Sequence, residues 1–294
     1  MLRTGLYVPL ITPFTATGDL ETAALAELAH SALADGATGL VALGTTAEAA
    51  ALTPDERATV IDICADACAE YGAPLVAGAG TNTTAASIEQ VTALDRRISA
   101  ALAVVPYYTR PSEAGVVEHF RLLAAASPVP LIVYNIPYRT GRTLSAETLG
   151  RIARLPNVAG FKHSTGGIDE TTVAFLADLP EHVSVLAGDD LFTAPLLALG
   201  ASGAILACAN VAARPYADLI AAWRAGSVEH ARQLGNRLVP LTRALFAEPN
   251  PTVVKAVLAA KGRIPSAHVR LPLLPALPET TAAALTCLDQ LDRR

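Results

Sequence analysis

The chain has 294 residues, room for one large domain or two small ones. Hydrophobic residues make up 52% and charged residues 17%, which suits a large buried core and excludes a disordered chain. The formal net charge of -5, with no clustering of basic residues, argues against nucleic acid as a partner.

In chain order, the N-terminal residues carry one cation, and Pro9 and Pro13 interrupt their apolar run, so no secretory leader is expected. Eight short apolar runs follow: Gly5 to Ile11, Thr38 to Leu43, Pro74 to Ala79, Ala101 to Val105, Leu131 to Tyr134, Val158 to Lys162, Val183 to Ala187 and Gly203 to Leu206. Each is too short for a helix and is bounded by Gly, Pro or polar residues, as buried strands are. Between them lie stretches with helical spacing, among them Leu20 to Ala34 and Thr84 to Arg97. Thr53-Pro54-Asp55-Glu56 supplies an N-cap, a proline at the first helical position and two acids in the first turn. Ser112-Glu113 and Ser145-Ala146-Glu147 read as similar starts. Leu191 to Ala213 contains no charge and is long enough to cross a bilayer. Its Pro195, Gly200, Ser202, Gly203 and Asn210 instead predict buried helix, turn, strand and loop. After residue 225 the strand pattern stops, and Ser227 to Phe246, Pro251 to Lys261 and Pro278 to Leu291 read as three helices.

Apolar strands alternating with helices imply parallel strands covered on both faces. Eight such units predict an α/β fold, a (β/α)8 TIM barrel over residues 1–225, with a C-terminal three-helix appendage over residues 226–294. A doubly wound sheet fits less well, because no G-x-G-x-x-G follows the first strand. Cys64, Cys68, Cys208 and Cys287 form no Cys-x-x-Cys pair and read as small apolar residues of a reduced core. A soluble, cytoplasmic protein without a membrane partner is the expectation.

Only three lysines occur, Lys162, Lys255 and Lys261, in a chain whose other cations are arginines. Lys162 stands at the end of the sixth strand, where barrel chemistry resides. Arginine keeps its proton in a protein, whereas a desolvated lysine can lose it and attack a carbonyl. A structural lysine that snorkels or pairs with a carboxylate is the alternative. The other strand ends offer matching chemistry. Gly44-Thr45-Thr46 presents two hydroxyls and a turn suited to a small carboxylate. Tyr107, Tyr108 and Tyr134 are hydroxyls able to relay protons, and Arg139 is a forked donor for a second carboxylate. Taken singly, each has a structural reading as a turn, a core aromatic or a surface cation. Asp189 and Asp190 read as helix caps. His163, next to the lysine on a strand, points to the opposite face. No metal-ligand spacing and no G-x-S-x-G elbow is present, so neither a metal site nor an elbow serine nucleophile is expected.

These residues resemble the dihydrodipicolinate synthase and N-acetylneuraminate lyase family. The resemblance runs nearly the whole chain, through Gly44-Thr45-Thr46-x-Glu48, Pro106-Tyr107-Tyr108, Tyr134-Asn135-Ile136-Pro137-x-Arg139-Thr140-Gly141, Gly160-Phe161-Lys162, Gly188-Asp189-Asp190 and Glu248-Pro249-Asn250-Pro251 with Lys255. It implies a Schiff base between Lys162 and pyruvate, with no further cofactor. It implies that Tyr134 is the central acid and base, linked through Thr45 to Tyr108, which reaches in from a neighbouring subunit of a homodimer or homotetramer. Thr45 and Thr46 then hold the pyruvate carboxylate, and the backbone at Gly188 and Ile205 lines the pocket. Arg139 is the residue that distinguishes synthases from sialic acid lyases. It points to aspartate semialdehyde as the aldehyde partner and to lysine biosynthesis as the setting.

Departures from the family pattern bear on the acceptor. Ala47 and Ala49 stand where synthases carry glycine and serine, Tyr138 where they often carry serine, and His163 where glutamate is usual. Related pyruvate aldolases, lyases and cyclic-imine deaminases share the Schiff base, and a non-catalytic binding protein is the alternative from another class. Asn82 and Tyr107 match the family's lysine feedback site, but Ala86, Pro54 and Arg57 do not, so no inhibition by millimolar lysine is expected.

Overall fold

A computed structural model describes residues 3–293. Its strands are β1 (Gly5–Pro9), β2 (Gly39–Ala42), β3 (Leu75–Gly78), β4 (Ala100–Val104), β5 (Leu131–Asn135), β6 (Val158–His163), β7 (Ser184–Ala187) and β8 (Gly203–Ile205). They follow one another in chain order in a closed parallel barrel, the TIM barrel expected from the sequence. Each strand falls inside or against one of the eight apolar runs. Their residues are almost all buried, which is why they read as unbroken apolar runs and not as alternating ones.

The helices are α1 (Thr22–Ala34), α2 (Pro54–Tyr71), α3 (Thr84–Thr92), α4 (Glu113–Ala126), α5 (Pro137–Thr140), α6 (Ala146–Ala153), α7 (Glu170–Ala177), α8 (Thr193–Ala198), α9 (Ala209–Arg224), α10 (Val228–Leu245), α11 (Thr252–Ala260) and α12 (Pro278–Asp292). The chain forms two compact units, one of Pro74–Ile205 with Arg3 and Thr4, the other of Gly5–Ala73 with Leu206 onward.

In the first unit, β5 is paired with β4 and β6, and β6 with β7. The register sets Tyr134 beside Lys162 and Lys162 beside Leu186. The helix starts use the predicted chemistry. Ser112 accepts from the Gly115 N–H at 3.2 Å and Ser145 from the Thr148 N–H at 3.2 Å; Asp169, which the sequence reading did not name, accepts from the Thr172 N–H at 2.8 Å. Helix α3 stops at Thr92, short of the expected Arg97, because Asp95 closes a turn. Its carboxylate accepts from the Arg97 backbone N–H at 2.7 Å and from the guanidinium.

In the second unit, β1 pairs with β2, and α2 opens with a complete capping box. Thr53 accepts from the Glu56 N–H, and Glu56 accepts from the Thr53 N–H at 2.8 Å. Helices α10, α11 and α12 occupy the three predicted C-terminal stretches, with α10 packed on α9 and α12. The uncharged stretch from Leu191 to Ala213 becomes a short 3-10 turn, α8, β8 and the start of α9, which takes the place of the expected final loop. Among the described residues no helix is long and apolar enough to cross a membrane. Cys64, Cys68 and Cys208 are buried thiols outside any disulfide, and burial raises the first two well above the usual thiol range.

Candidate active site

Lys162 lies one residue before the end of β6 and is 6% exposed. Parallel register puts Tyr134 and Lys162 side by side with their side chains on the same face of the sheet. The ammonium nitrogen sits 4.3 Å from the centre of the Tyr134 ring, itself 6% exposed. Burial pulls the Lys162 ammonium down to about 8. Asp190 and Asp189 pull it partly back up, and Arg139 pushes it further down. At pH 7 about a tenth of the amine is therefore neutral, against well under a thousandth for a lysine in water.

Glycine at position 188 is a spatial requirement. A Cβ there would meet the Lys162 Cγ at 2.7 Å and the Ser164 Oγ at 2.1 Å. The lysine stem passes directly over this backbone, and the Gly188 N–H donates to the His163 carbonyl at 2.8 Å. The Ser164 hydroxyl is fully buried and has no partner among the described residues. The motif reading passed over it, although a serine two residues after the lysine shares its strand face. Ile205 closes β8 and is buried.

Arg139 is exposed on the single-turn helix α5, which starts on Pro137 and ends at Gly141 in the left-handed conformation, φ 65°. Its guanidinium lies 5.1 Å over the Tyr138 ring. The same turn is tied to the loop after β4, where the Arg110 Nε donates to the Gly141 carbonyl at 2.7 Å. In that loop Tyr108 has φ 68° and is 86% exposed, and the Thr109 N–H donates across it to the Tyr107 carbonyl. This γ-turn with positive φ is a strained conformation for a tyrosine.

Asp189 and Asp190 depart from the capping role read from the sequence. Neither side chain caps a helix. Asp189 accepts from the Gly166 N–H at 2.7 Å, and burial raises its carboxyl against the pull of that N–H and of Lys162. His163 does point away from Lys162, as expected. Its Nε2 lies 3.1 Å from Thr172 Oγ1, its Nδ1 3.4 Å from Asn135 Nδ2, and its ring is stacked at a tilt on Phe175. Burial lowers its pKa to about 4, with Asp169 opposing, so it is neutral at pH 7.

Thr45 and Thr46 belong to the second unit. Thr45 to Ala47 form one 3-10 turn directly after β2, with Leu43 (φ 56°) and Glu48 (φ 52°) in the left-handed region on either side. Thr45 is exposed and Thr46 buried. Side chains from distant segments hold the turn. Thr12 donates to the Ala47 carbonyl at 2.7 Å, and the Asn250 Nδ2 donates to Thr46 Oγ1 at 3.0 Å. Glu48 pairs with the fully buried Lys255 at 2.6 Å and accepts from the Arg270 backbone N–H at 2.8 Å. The Phe14 ring lies beneath both the Lys255 ammonium and the Arg270 guanidinium, at 4.1 and 4.3 Å. Arg270 also binds Glu56, whose carboxyl it holds down near 2. Sequence reading placed Glu48 and Lys255 in the family pattern but gave no sign that they pair. Among the described residues no three of His, Cys, Asp and Glu gather as a metal site.

Known proteins match this chain over nearly its whole length. The model of the dihydrodipicolinate synthetase family matches residues 2–290. The 4-hydroxy-tetrahydrodipicolinate synthase of Syntrophus aciditrophicus is 41% identical over 271 residues, 92% of this chain and 91% of that protein. Among solved structures, dihydrodipicolinate synthase from Thermotoga maritima superposes with a TM-score of 0.95 at 32% identity, covering 99% of each chain. The chloride-inhibited enzyme from Acinetobacter baumannii, complexed with pyruvate, gives a TM-score of 0.94 at 33% identity, again over 99% of each. With a match over nearly its whole length, and with a buried lysine at the end of β6 beside a tyrosine of β5, the chain belongs to the dihydrodipicolinate synthetase family.

Proposed function

We propose that this protein is a Schiff-base enzyme that condenses pyruvate with L-aspartate 4-semialdehyde, a 4-hydroxy-tetrahydrodipicolinate synthase. The observation that carries the proposal is the buried Lys162 amine, held at about 8 against the Tyr134 ring, in a chain of this family. The neutral amine adds to the C2 carbonyl of pyruvate, and loss of water gives the imine. Removal of a C3 proton gives an enamine, whose carbon attacks the aldehyde. The semialdehyde's own amine then displaces Lys162 from the imine carbon, which closes the ring and returns the lysine amine. Each step moves a proton, and Tyr134, whose ring centre lies 4.3 Å from the amine nitrogen, is assigned to carry it. The family resemblance adds Thr45 to this relay and gives Thr46 to the pyruvate carboxylate. Gly188 and Ile205 supply the backbone wall.

Arg139 is assigned to the carboxylate of the semialdehyde, a role its exposed fork suits. Tyr108, 86% exposed in a strained turn, is assigned to a site shared with a second copy of the chain, in a homodimer or homotetramer. A second reading keeps the Schiff base and changes the acceptor to another small aldehyde. Tyr138 favours it, because its ring covers one face of the Arg139 guanidinium. The test is pyruvate consumption with L-aspartate 4-semialdehyde, read by coupled reduction of the product. Turnover lost in Lys162→Ala, and lost for the semialdehyde in Arg139→Ala, establishes the synthase. An adduct trapped on Lys162 by borohydride with pyruvate, without such turnover, establishes the second reading.

A further inference from the structure

Thr46 has one hydrogen bond among the described residues, and in it the threonine is the acceptor: the Asn250 Nδ2 donates to Oγ1 at 3.0 Å. A hydroxyl has one proton to give and two lone pairs. With a lone pair engaged by the amide, the proton stays available, and none of the described residues claims it. The turn that carries Thr46 cannot easily shift to offer it elsewhere. Left-handed residues bracket the turn, Glu48 is locked by Lys255 and the Arg270 N–H, and Thr12 holds the Ala47 carbonyl. Asn250 lies just before α11, the helix that also carries Lys255. One element thus supplies the amide that orients the hydroxyl and the ammonium that anchors the turn.

We propose that Asn250 is a positioning residue for carboxylate recognition, holding the Thr46 hydroxyl as a donor toward the carboxylate of the 2-oxo acid. Asn250 does not touch substrate; it fixes the direction of a proton that does. A threonine hydroxyl free to rotate would spend part of its time presenting a lone pair, which repels an anion. The inference rests on the proposed pyruvate chemistry, and its test separates the two.

The experiment is trapping of pyruvate on the full-length protein with cyanoborohydride, following the adduct on Lys162 across pyruvate concentrations. No adduct with the wild-type protein overturns the proposed function itself. Given an adduct, Asn250→Ala is expected to raise the half-saturating pyruvate concentration about fivefold, one neutral hydrogen bond's worth, and leave the limiting trapping rate unchanged. In a Thr46→Val background the same substitution is expected to add nothing, because Asn250 acts only through that hydroxyl. Effects that add in the double variant overturn the proposal. So does an unchanged or lowered half-saturating concentration in Asn250→Ala; a lowered one means that the amide takes the Thr46 proton. If Asn250→Ala does not fold, Asn250→Ser keeps a small polar group there, and its half-saturating concentration decides by the same criteria.

Discussion

A lysine in water holds its proton up to about pH 10.4 and is almost wholly non-nucleophilic at neutral pH. The surroundings of Lys162 change this chiefly by excluding water, and the nearby carboxylates Asp190 and Asp189 limit the effect. The sign is favourable for an amine nucleophile, since the fraction of neutral amine rises with pH up to about 8 and then levels. Trapping of low pyruvate concentrations on Lys162 should therefore rise about tenfold per pH unit from pH 6 and bend over near 8. A profile that keeps climbing to pH 10 would show an ordinary lysine and defeat the argument. The stem of this lysine depends on Gly188 in turn. Gly188→Ala places a methyl 2.7 Å from the Lys162 Cγ and 2.1 Å from the Ser164 Oγ, so the stem must move. Trapping in this variant should fall about 100-fold, a penalty typical of misplaced reacting groups. Adding Ser164→Ala relieves only one of the two clashes and should not restore it. Full restoration would put the defect at Ser164 and not at the lysine.

At the scale of elements, most of the fold was legible because each strand is short, apolar and punctuated, and each helix start carries its own cap chemistry. The capping box at Thr53 and Glu56 is an example of local sequence dictating local structure. Where the reading went astray, a side chain chose a different backbone partner. Asp95 ended α3 early by binding the Arg97 N–H, and Asp189 bound Gly166 in place of capping the following turn. Neither choice leaves a mark in hydrophobic spacing. The turn after β2 depends on the most distant contacts. Glu48 and Lys255, 207 residues apart, are both almost fully buried, so each charge is tolerable only with the other. Glu48→Gln strands the ammonium and should cost about 3 kcal/mol of stability, measured by urea unfolding. Glu48→Gln with Lys255→Met removes the stranded charge and keeps an acceptor for the Arg270 N–H, so it should recover most of that loss. A double variant as unstable as the single one would show that the pair contributes through packing and not charge.

Across the whole molecule, the candidate site was legible to the extent that its residues sit at strand ends, as Lys162, Tyr134, Thr45 and Thr46 do. The partners that fix the turn of Thr46 and Glu48 were not, because Asn250, Lys255 and Arg270 come from more than 200 residues away. The same limit applies to buried titratable groups. His119 and His163 look in sequence like ordinary histidines, yet burial brings both down to about 4. His119 is held by Thr84 at 3.0 Å, and its Nε2 is buried without a partner among the described residues. His163 is enclosed by Asn135, Thr172 and Phe175, with Asp169 as the facing charge. In the unfolded chain each titrates near 6.5. Between pH 6.5 and 4 the unfolded chain therefore binds more protons than the folded one, and stability falls as pH falls through that window. Glu56, held near 2 by Arg270, acts in a separate and lower window, its contribution present above about 4.5 and lost toward pH 2. The thermal midpoint should accordingly drop between pH 6.5 and 4.5, before the Glu56 pair begins to titrate. His163→Gln removes one of the two proton-binding differences and should flatten that slope while leaving the fall below pH 4 in place. A midpoint that holds constant down to pH 4.5, or a slope unchanged in His163→Gln, would mean that the buried imidazoles do not govern acid stability.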